Sequence, residues 1–171
     1  MRFRNIEPGQ LQEKPVSLFG KEWMLLTAGS LEKHNCMTIA WGGLGTLWAL
    51  PTATVYVRPE RYTFSFLTES ETFSICAFDE SWREKLVLCG TKSGRDTDKE
   101  ALCGLTPVKS GSGAVYYAEA RLAVVCKKIY EQDFDAARFV DERVKKIYAE
   151  GAQLHRMFIG EIVEVLIKEE D

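Results

Sequence analysis

Hydrophobic and polar positions alternate along several short stretches of the chain, a pattern typical of β-strands with one buried face. Three apolar runs of strand length, each bounded by turn residues, are predicted as strands: 23–29, 52–57 and 72–78. The stretch from Asn35 to Trp41 also alternates, with Met37, Ile39 and Trp41 on one face and smaller residues on the other. Because only a short turn separates it from the run at 23–29, we predict that the two form an antiparallel hairpin.

Glycines follow this strand directly, at Gly42, Gly43 and Gly45. Glycine allows a sharp turn or a close approach of the backbone to a ligand, so the strand is either one wall of a flat pocket or a core strand that leads into a tight turn. The glycines do not form a dinucleotide-binding fingerprint, because such glycines must open a helix, whereas Pro51 and another strand follow here.

The end of the chain predicts two long strands, at 115–130 and 155–166, with a short amphipathic helix at 141–148 between them. Strands and helices do not alternate as regular βαβ units. The turn spacing and the long paired strands instead favour a mainly β fold, an antiparallel barrel, in one domain that spans residues 1–171.

A helix is predicted just after the strand at 52–57, with Pro59 at its first position. Arg58 precedes this helix start and Arg61 follows one turn later. Such a pair can hold a phosphate against free backbone N–H groups, although an ordinary junction between a strand and a helix has the same residues.

Two further helices are predicted from capping boxes, Ser81-x-x-Glu84 for a helix at 82–88 and Thr97-x-x-Glu100 for one that ends at Gly104. The polar loop between them places several cationic and hydroxyl side chains around the second helix start: Lys92, Ser93, Arg95 and Lys99. We expect an anion site there, with Arg95 alternatively paired with Asp96 or Asp98. The loop is not a Walker loop, because Thr91 precedes Lys92.

Composition narrows the classes of function. The chain has 171 residues, a net charge of −3 and a pI of about 5.6, which does not favour binding to a nucleic acid. The chain has two histidines and five cysteines without a Cys-x-x-Cys pair, which argues against a metal site and favours reduced thiols. The N-terminal residues do not resemble a secretory signal and no apolar run reaches membrane length, so we expect a soluble, cytoplasmic protein.

Three segments in order carry a family resemblance: Asn-Cys-Met-Thr-Ile-Ala-Trp-Gly-Gly at 35–43, Val-Tyr-Val-Arg-Pro-Glu-Arg-Tyr-Thr at 55–63 and Cys-Gly-Thr-Lys-Ser-Gly-Arg-Asp-Thr-Asp-Lys at 89–99. Together they resemble the flavin reductase-like, FMN-binding split-barrel proteins, particularly the flavoredoxin branch, over residues 25–165. The resemblance implies a Greek-key split barrel and a homodimer, with FMN in a groove between the barrel and the partner subunit.

The resemblance also nominates the residues that bind the cofactor. The flavin and its ribityl chain would contact the first segment, at Asn35, Thr38, Ile39, Ala40 and Trp41. The phosphate would meet donors and neighbours from the other two, at Arg58, Arg61, Tyr62, Thr63, Lys92, Ser93 and Lys99. The last barrel strand would contribute His155 and Phe158, although these two residues and Trp41 can also be read as ordinary strand or core residues.

Three functions remain open at this point. The first is an NAD(P)H-dependent flavin reductase, in which a transient nicotinamide passes hydride to flavin N5 and no protein acid or base is required. The second is an FMN electron-transfer protein that serves a protein partner. The third is a split-barrel binding module without redox chemistry, and the sequence does not separate FMN from FAD or NADH from NADPH.

Overall fold

The fold is dominated by β-strands, and the computed structural model describes residues 2–148 and 151–169. The strands are β1 Phe3–Ile6, β2 Met24–Gly29, β3 His34–Ile39, β4 Gly42–Leu47, β5 Leu50–Val57, β6 Thr72–Ala77, β7 Pro107–Lys109, β8 Val115–Tyr117, β9 Leu122–Asp133 and β10 Arg156–Lys168. The α-helices are α1 Pro15–Ser17, α2 Tyr62–Glu69, α3 Arg83–Thr91, α4 Lys99–Cys103 and α5 Glu142–Ile147. A wider helical turn, Leu18–Glu22, continues α1, and single tighter turns occupy Pro8–Gln10, Glu80–Trp82 and Ala136–Arg138.

One antiparallel sheet contains most of the strands, in the order β3-β2-β6-β9-β10-β5-β4. The long strand β10 pairs with β9 along most of its length, and on its other side it pairs first with β5 and then with β1. The first and last strands in this order, β3 and β4, are consecutive in the chain. Only two residues join them, so these two edges of the sheet lie close together. The predicted antiparallel split barrel is confirmed.

The alternation of side chains along each strand divides the core into two clusters. Leu26 and Ala28 of β2 face the barrel interior, which Phe73 also fills, while Leu25 faces the opposite side, beneath α3 and α4. Gly160 of β10 is required at the centre, because a Cβ there would lie 2.7 Å from the ring of Phe73. The α3 and α4 side therefore has a core of its own, and the edge strand β3 lies between the two.

The predicted tight turn at the glycines is wrong. Gly42 to Leu47 forms strand β4, and the turn lies further on, at Trp48 and Ala49, which both have positive φ angles of 53° and 59°. Positive φ at both central residues matches the twist of a two-residue hairpin and normally selects glycine or asparagine, so Trp48 and Ala49 carry no sequence signal for this turn. Gly42 lies against the ring of Phe19, where a Cβ would come within 2.2 Å.

Helix α2 begins at Tyr62 and not at Pro59. Arg58 to Arg61 forms a turn, closed by a hydrogen bond of 3.0 Å from Arg61 N to Arg58 O, and Arg61 is the N-cap. The prediction gave too much weight to proline as a first helical residue. The consequence is that both arginines lie on the turn that connects β5 to α2.

Both predicted capping boxes are also wrong in detail. Ser81 lies inside the tight turn Glu80–Trp82, and α3 begins at Arg83 without a side-chain cap. Helix α4 is capped by Asp98, one residue after Thr97, and ends at Gly104 in the left-handed conformation, as predicted. Asp98 Oδ1 accepts hydrogen bonds from the backbone N–H groups of Glu100 and Ala101, at 3.1 and 3.0 Å.

The strand predicted at 115–130 is two strands. Residues Val115–Tyr117 pair with β7 in a small separate sheet, and the main sheet resumes at Leu122 after a turn. The helix predicted at 141–148 is present as α5, capped by Asp141, but none of its described side chains is buried. None of the helices within residues 2–148 and 151–169 is long and apolar enough to cross a membrane.

Candidate binding groove at the edge of the sheet

Two adjoining cavities follow the edge strand β3. The first, of about 310 Å³, lies over the end of β3 and is lined by backbone and side chains of 37–41 together with Tyr56, Arg58 and His155. The second, of about 170 Å³, lies between the start of α2 and the loop after α3. Both are bordered by Met37, Glu60 and Arg61, so they form one continuous groove with two ends.

The first end is apolar and open. Trp41 leaves 45% of its surface exposed, and its indole lies 4.8 Å from the imidazole of His155 between ring centroids. His155 Nδ1 and the Tyr148 hydroxyl share a hydrogen bond of 2.8 Å. Burial, helped by the positive charge of Arg58 and opposed by Glu60, lowers the pKa of His155 to about 4. The imidazole is therefore neutral near pH 7 and adds an uncharged aromatic wall.

The second end is cationic. Arg61 borders both cavities and donates from Nη2 to Gly90 O at 2.6 Å, which links the turn before α2 to the last turn of α3. The guanidinium of Arg95 lies 4.8 Å from the ring of Tyr62 and donates to Glu60 O at 3.3 Å. Lys92 and Ser93 complete the loop side of the same cavity. Arg95 thus faces the groove, whereas a surface pair with Asp96 or Asp98 had been the alternative.

Asn35 and Lys99 form the floor of this cationic end, and both already have partners. The amide of Asn35 donates to Thr63 Oγ1 at 2.7 Å and to Cys36 O at 3.2 Å. The ammonium of Lys99 donates to Cys36 O at 2.7 Å and to Cys89 O at 2.9 Å, and only 6% of the residue is exposed. Burial lowers the pKa of Lys99. Its charge faces the groove, but its hydrogen bonds tie β3 to α3.

The anion site expected at the start of α4 is not available as predicted. The carboxylate of Asp98 occupies the backbone N–H groups of Glu100 and Ala101 there. A five-residue helix also has a small dipole. The cations of the loop instead converge on the cavity beside α2, where Gly94 allows the loop to approach β3: a Cβ at this position would lie 1.9 Å from Asn35 Oδ1.

All but one of the residues nominated from the sequence line one of the two cavities, and the exception is Phe158. The lining residues are Asn35, Thr38, Ile39, Ala40, Trp41, Arg58, Arg61, Tyr62, Thr63, Lys92, Ser93, Lys99 and His155. Phe158 is fully buried and packs edge-to-face against Phe64, with the ring centroids 5.8 Å apart. Phe158 lies three positions after His155, which directly precedes β10, and an odd offset in extended chain directs the two side chains to opposite faces.

Sequence reasoning missed three residues of the first cavity: Met37, Tyr56 and Glu60. A signal existed for Tyr56, which lies two residues before Arg58 and therefore points to the same side of the chain. Glu60 follows Pro59 in the predicted helix start, where no contact with a ligand was expected of it. Its carboxylate lies 3.7 Å from Nη1 of Arg58, and it therefore moderates the positive charge between the two ends of the groove.

An antiparallel barrel whose edge groove is apolar and aromatic at one end and cationic at the other has a shape and charge that suit a flat ring system with an anionic tail. The profile of the flavin reductase-like domain family matches residues 16–171. The chain belongs to that family.

Solved structures of related proteins superimpose on most of the chain. The flavoredoxin of Desulfovibrio vulgaris (Miyazaki F) is 26% identical with a TM-score of 0.67, over 86% of this chain and 69% of that one. The flavoredoxin from Methanosarcina acetivorans is 22% identical with a TM-score of 0.69 over the same shares. An FMN-binding domain of a flavin reductase-like enzyme from Shewanella baltica OS155 is 19% identical with a TM-score of 0.69, over 97% and 77%. No curated protein sequence matches.

Proposed function

We propose that the groove binds FMN and that the protein is an NAD(P)H-dependent flavin reductase. The observation that carries the proposal is the continuity of the two cavities through Met37 and Arg61, which offers one ligand an apolar wall and a cationic pocket at the same time. FMN has this chemistry, with a flat tricyclic ring, a ribityl chain and a terminal phosphate. Membership of the flavin reductase-like family and the likeness to FMN-binding proteins support the same ligand.

The donor set of the groove fits the cofactor from end to end. Trp41 and the neutral His155 would border the ring system, and the backbone of 38–41 would meet its polar edge. Arg61, Lys92 and Ser93 would hold the phosphate through charge-assisted hydrogen bonds. Asn35, held by Thr63 on the floor of the cationic end, would orient the ribityl chain.

The cofactor, when bound, supplies the hydride-accepting chemistry. The chain's own residues bind and orient it, and no proton has to be moved by a side chain. His155 suits this role, because its low pKa keeps the imidazole uncharged next to the ring. The exposed outer face of Trp41 leaves room for a planar nicotinamide to enter from solvent. Glu60 beside Arg58 keeps the net charge near the ring low.

An absorption spectrum followed by anaerobic reduction tests the proposal. We expect the protein to bind FMN from solution with a yellow spectrum, and the spectrum to bleach when NADH or NADPH is added without oxygen. Multiple turnovers with excess FMN would establish the reductase. A protein that takes up neither FMN nor FAD would contradict the cofactor assignment.

The likeness to flavoredoxins favours a second candidate, an FMN electron-transfer protein that serves a protein partner. The same groove would then retain FMN tightly and expose its edge to the partner. The experiment above separates the candidates, because an electron carrier would bleach with dithionite and remain yellow with both nicotinamides. A protein that binds no flavin would instead support the third function, a binding module without redox chemistry.

We also propose that the protein is a homodimer whose second copy covers the open end of the groove. A further cavity, of about 640 Å³, continues past Trp41 along β4 towards Val16 and Phe19, and it is mainly apolar. Val16, which lines this cavity, is 89% exposed, and Trp48 in the turn after β4 is exposed as well. Light scattering at micromolar concentration should give twice the mass of the 19.4 kDa chain; a monomer mass would contradict the proposal.

A further inference from the structure

Three of the five cysteines meet behind the edge strand, on the side away from the barrel interior. Cys36 of β3, Cys89 of α3 and Cys103 of α4 belong to the same buried cluster, and each is less than 4% exposed. The sulfur atoms of Cys89 and Cys103 are 3.7 Å apart. This separation is a contact between thiols, and it must close to roughly 2.0 Å in a disulfide.

Cys36 is the activated thiol of the three. Lys99 Nζ donates to the backbone carbonyls of both Cys36 and Cys89, at 2.7 and 2.9 Å, which holds the two residues side by side. The neighbouring Cys89 thiol, together with Tyr117 and the charge of Lys99, lowers the pKa of Cys36 to about 7 against the opposing effect of burial. The proximity of Cys36 and burial raise the pKa of Cys89. Glu100 also faces the cluster, and it accepts hydrogen bonds from Tyr117 and the ring of His34.

The remaining cysteines provide the contrast. Cys76 and Cys126 are completely buried in the sheet, and burial raises the pKa of both thiols, that of Cys76 to about 12. Neither lies within hydrogen-bond distance of a second thiol in the part of the chain that the structure describes. They are the inert thiols of this protein, since thiolate character governs oxidation.

We propose that Cys36, Cys89 and Cys103 form a peroxide-reactive relay whose stable product is a Cys89–Cys103 disulfide. The inference does not rest on the proposed function, because it uses only the positions of the three thiols and their neighbours. The substrate class is hydrogen peroxide or a small organic hydroperoxide.

The chemistry balances in three steps. The Cys36 thiolate attacks the peroxide, the O–O bond breaks, and Cys36 sulfenic acid forms with release of water or an alcohol after protonation. The Cys89 sulfur then attacks Cys36, forming a disulfide and releasing water. The Cys103 sulfur finally attacks Cys89 and Cys36 leaves as a thiolate, for which its low pKa suits it. In total the peroxide gains two electrons and two thiols lose them.

The short helix α4 determines both how peroxide reaches the thiols and what the disulfide does to the structure. This helix has five residues and Leu102 on its outer side is half exposed, so a local opening is enough to admit a molecule the size of peroxide. The product would join the last turn of α3 to the last residue of α4. It would thereby fix both ends of the segment that carries Lys92, Ser93 and Arg95 into the groove.

Mass spectrometry of the whole chain tests the relay. The protein, free of flavin, is treated with hydrogen peroxide, quenched with iodoacetamide and digested with trypsin, which cleaves after Lys92, Arg95 and Lys99 and so separates Cys89 from Cys103. We expect a peptide pair joined through Cys89 and Cys103, with Cys76 and Cys126 still alkylated after unfolding. Dimedone added with the peroxide should label Cys36 first.

Two variants complete the test. Cys103→Ser should stop the relay at a Cys36–Cys89 disulfide, and Cys36→Ser should slow formation of the Cys89–Cys103 disulfide at least about tenfold. Thiols that all remain alkylatable, a first dimedone label on another cysteine, or an unchanged rate in folded Cys36→Ser would each overturn the proposal. The dimedone experiment on the unaltered chain decides the matter where a variant does not fold.

Discussion

The two ends of the groove are built in different ways. At the cationic end the side chains are already fixed: Arg61 is hydrogen-bonded to Gly90, Asn35 to Thr63, and Lys99 to two backbone carbonyls. At the apolar end Trp41 is half exposed and lies against His155. A preorganised end loses little entropy when an anion arrives, whereas an open end leaves a face free for a second molecule. The difference suits a ligand that is anchored by its tail and reacts at its ring.

Replacement of Lys99 should have the largest effect on stability, because this residue lies at the cationic end but its hydrogen bonds join β3 to α3. Replacing it by methionine would leave the carbonyls of Cys36 and Cys89 buried without a donor, so we expect Lys99→Met to lower the free energy of unfolding by about 2–4 kcal/mol. The exposed Lys92 gives the control, since Lys92→Met should change stability by less than about 0.5 kcal/mol. Urea unfolding measures both; equal effects would show that Lys99 does not carry the contact.

Two neighbouring glycines provide a matched pair at the open end. A Cβ on Gly42 would lie 2.2 Å from the ring of Phe19, while a Cβ on Gly43 meets open space. We expect Gly42→Ala to destabilise the protein by about 1–3 kcal/mol through overpacking. Gly43→Ala should be neutral or slightly stabilising, because alanine restricts the unfolded chain. A thermal melt of each variant checks the pair, and a loss of stability in Gly43→Ala alone would refute the assigned packing of β4.

Trp41 separates ring binding from phosphate binding. Its indole would contact only the ring system, so Trp41→Ala should weaken FMN and riboflavin alike, by about 0.5–1.5 kcal/mol or up to about tenfold. Quenching of flavin fluorescence measures both affinities. A loss confined to FMN would place Trp41 at the wrong end of the groove. Stability should change little, because nearly half of the side chain already faces solvent.

His155 is expected to make a smaller contribution to stability, and this contribution depends on pH. Its pKa is about 4 in the folded protein, below the ordinary value of 6.5, so in this interval the unfolded chain binds the extra proton. Stability from this group is therefore present above pH 6.5 and is lost as the pH falls towards 4, with a slope of at most about 1.4 kcal/mol per pH unit. Comparison of urea unfolding of His155→Asn with the unaltered chain between pH 7 and pH 4.5 measures it. An unchanged slope in the variant would contradict the assignment.

The sequence predicted the strands and most of the groove because those features follow local rules. Alternation placed β2, β3, β5 and β6, and the three motifs brought nearly every nominated side chain to one edge. Errors arose where a distant contact decides the outcome. Gly42 pairs with Val55 of β5, and Phe19 lies where a side chain at this position would be, and no neighbour in sequence reveals either contact.

Lys99 and Phe158 show the same limit in the site itself. A lysine next to other cations reads as an anion ligand, yet the carbonyls that hold Lys99 come from residues far away in the chain. Phe158 was nominated with His155, but the pleat of the strand sends the two side chains to opposite faces. The contact between Cys89 and Cys103 likewise depends on how α3 packs against α4.

The central claim is that one ligand spans both ends, with its phosphate at Arg61. Titration of FMN and of riboflavin, which lacks the phosphate, into the unaltered chain and into Arg61→Ala and Arg58→Ala tests it most directly. We expect Arg61→Ala to lose about 1.5–3 kcal/mol of FMN affinity, roughly 10–150-fold, while riboflavin changes less than about threefold. Arg58 lines only the ring end of the groove, so Arg58→Ala is the control and should affect FMN and riboflavin alike. An equal loss of both ligands in Arg61→Ala would contradict the claim.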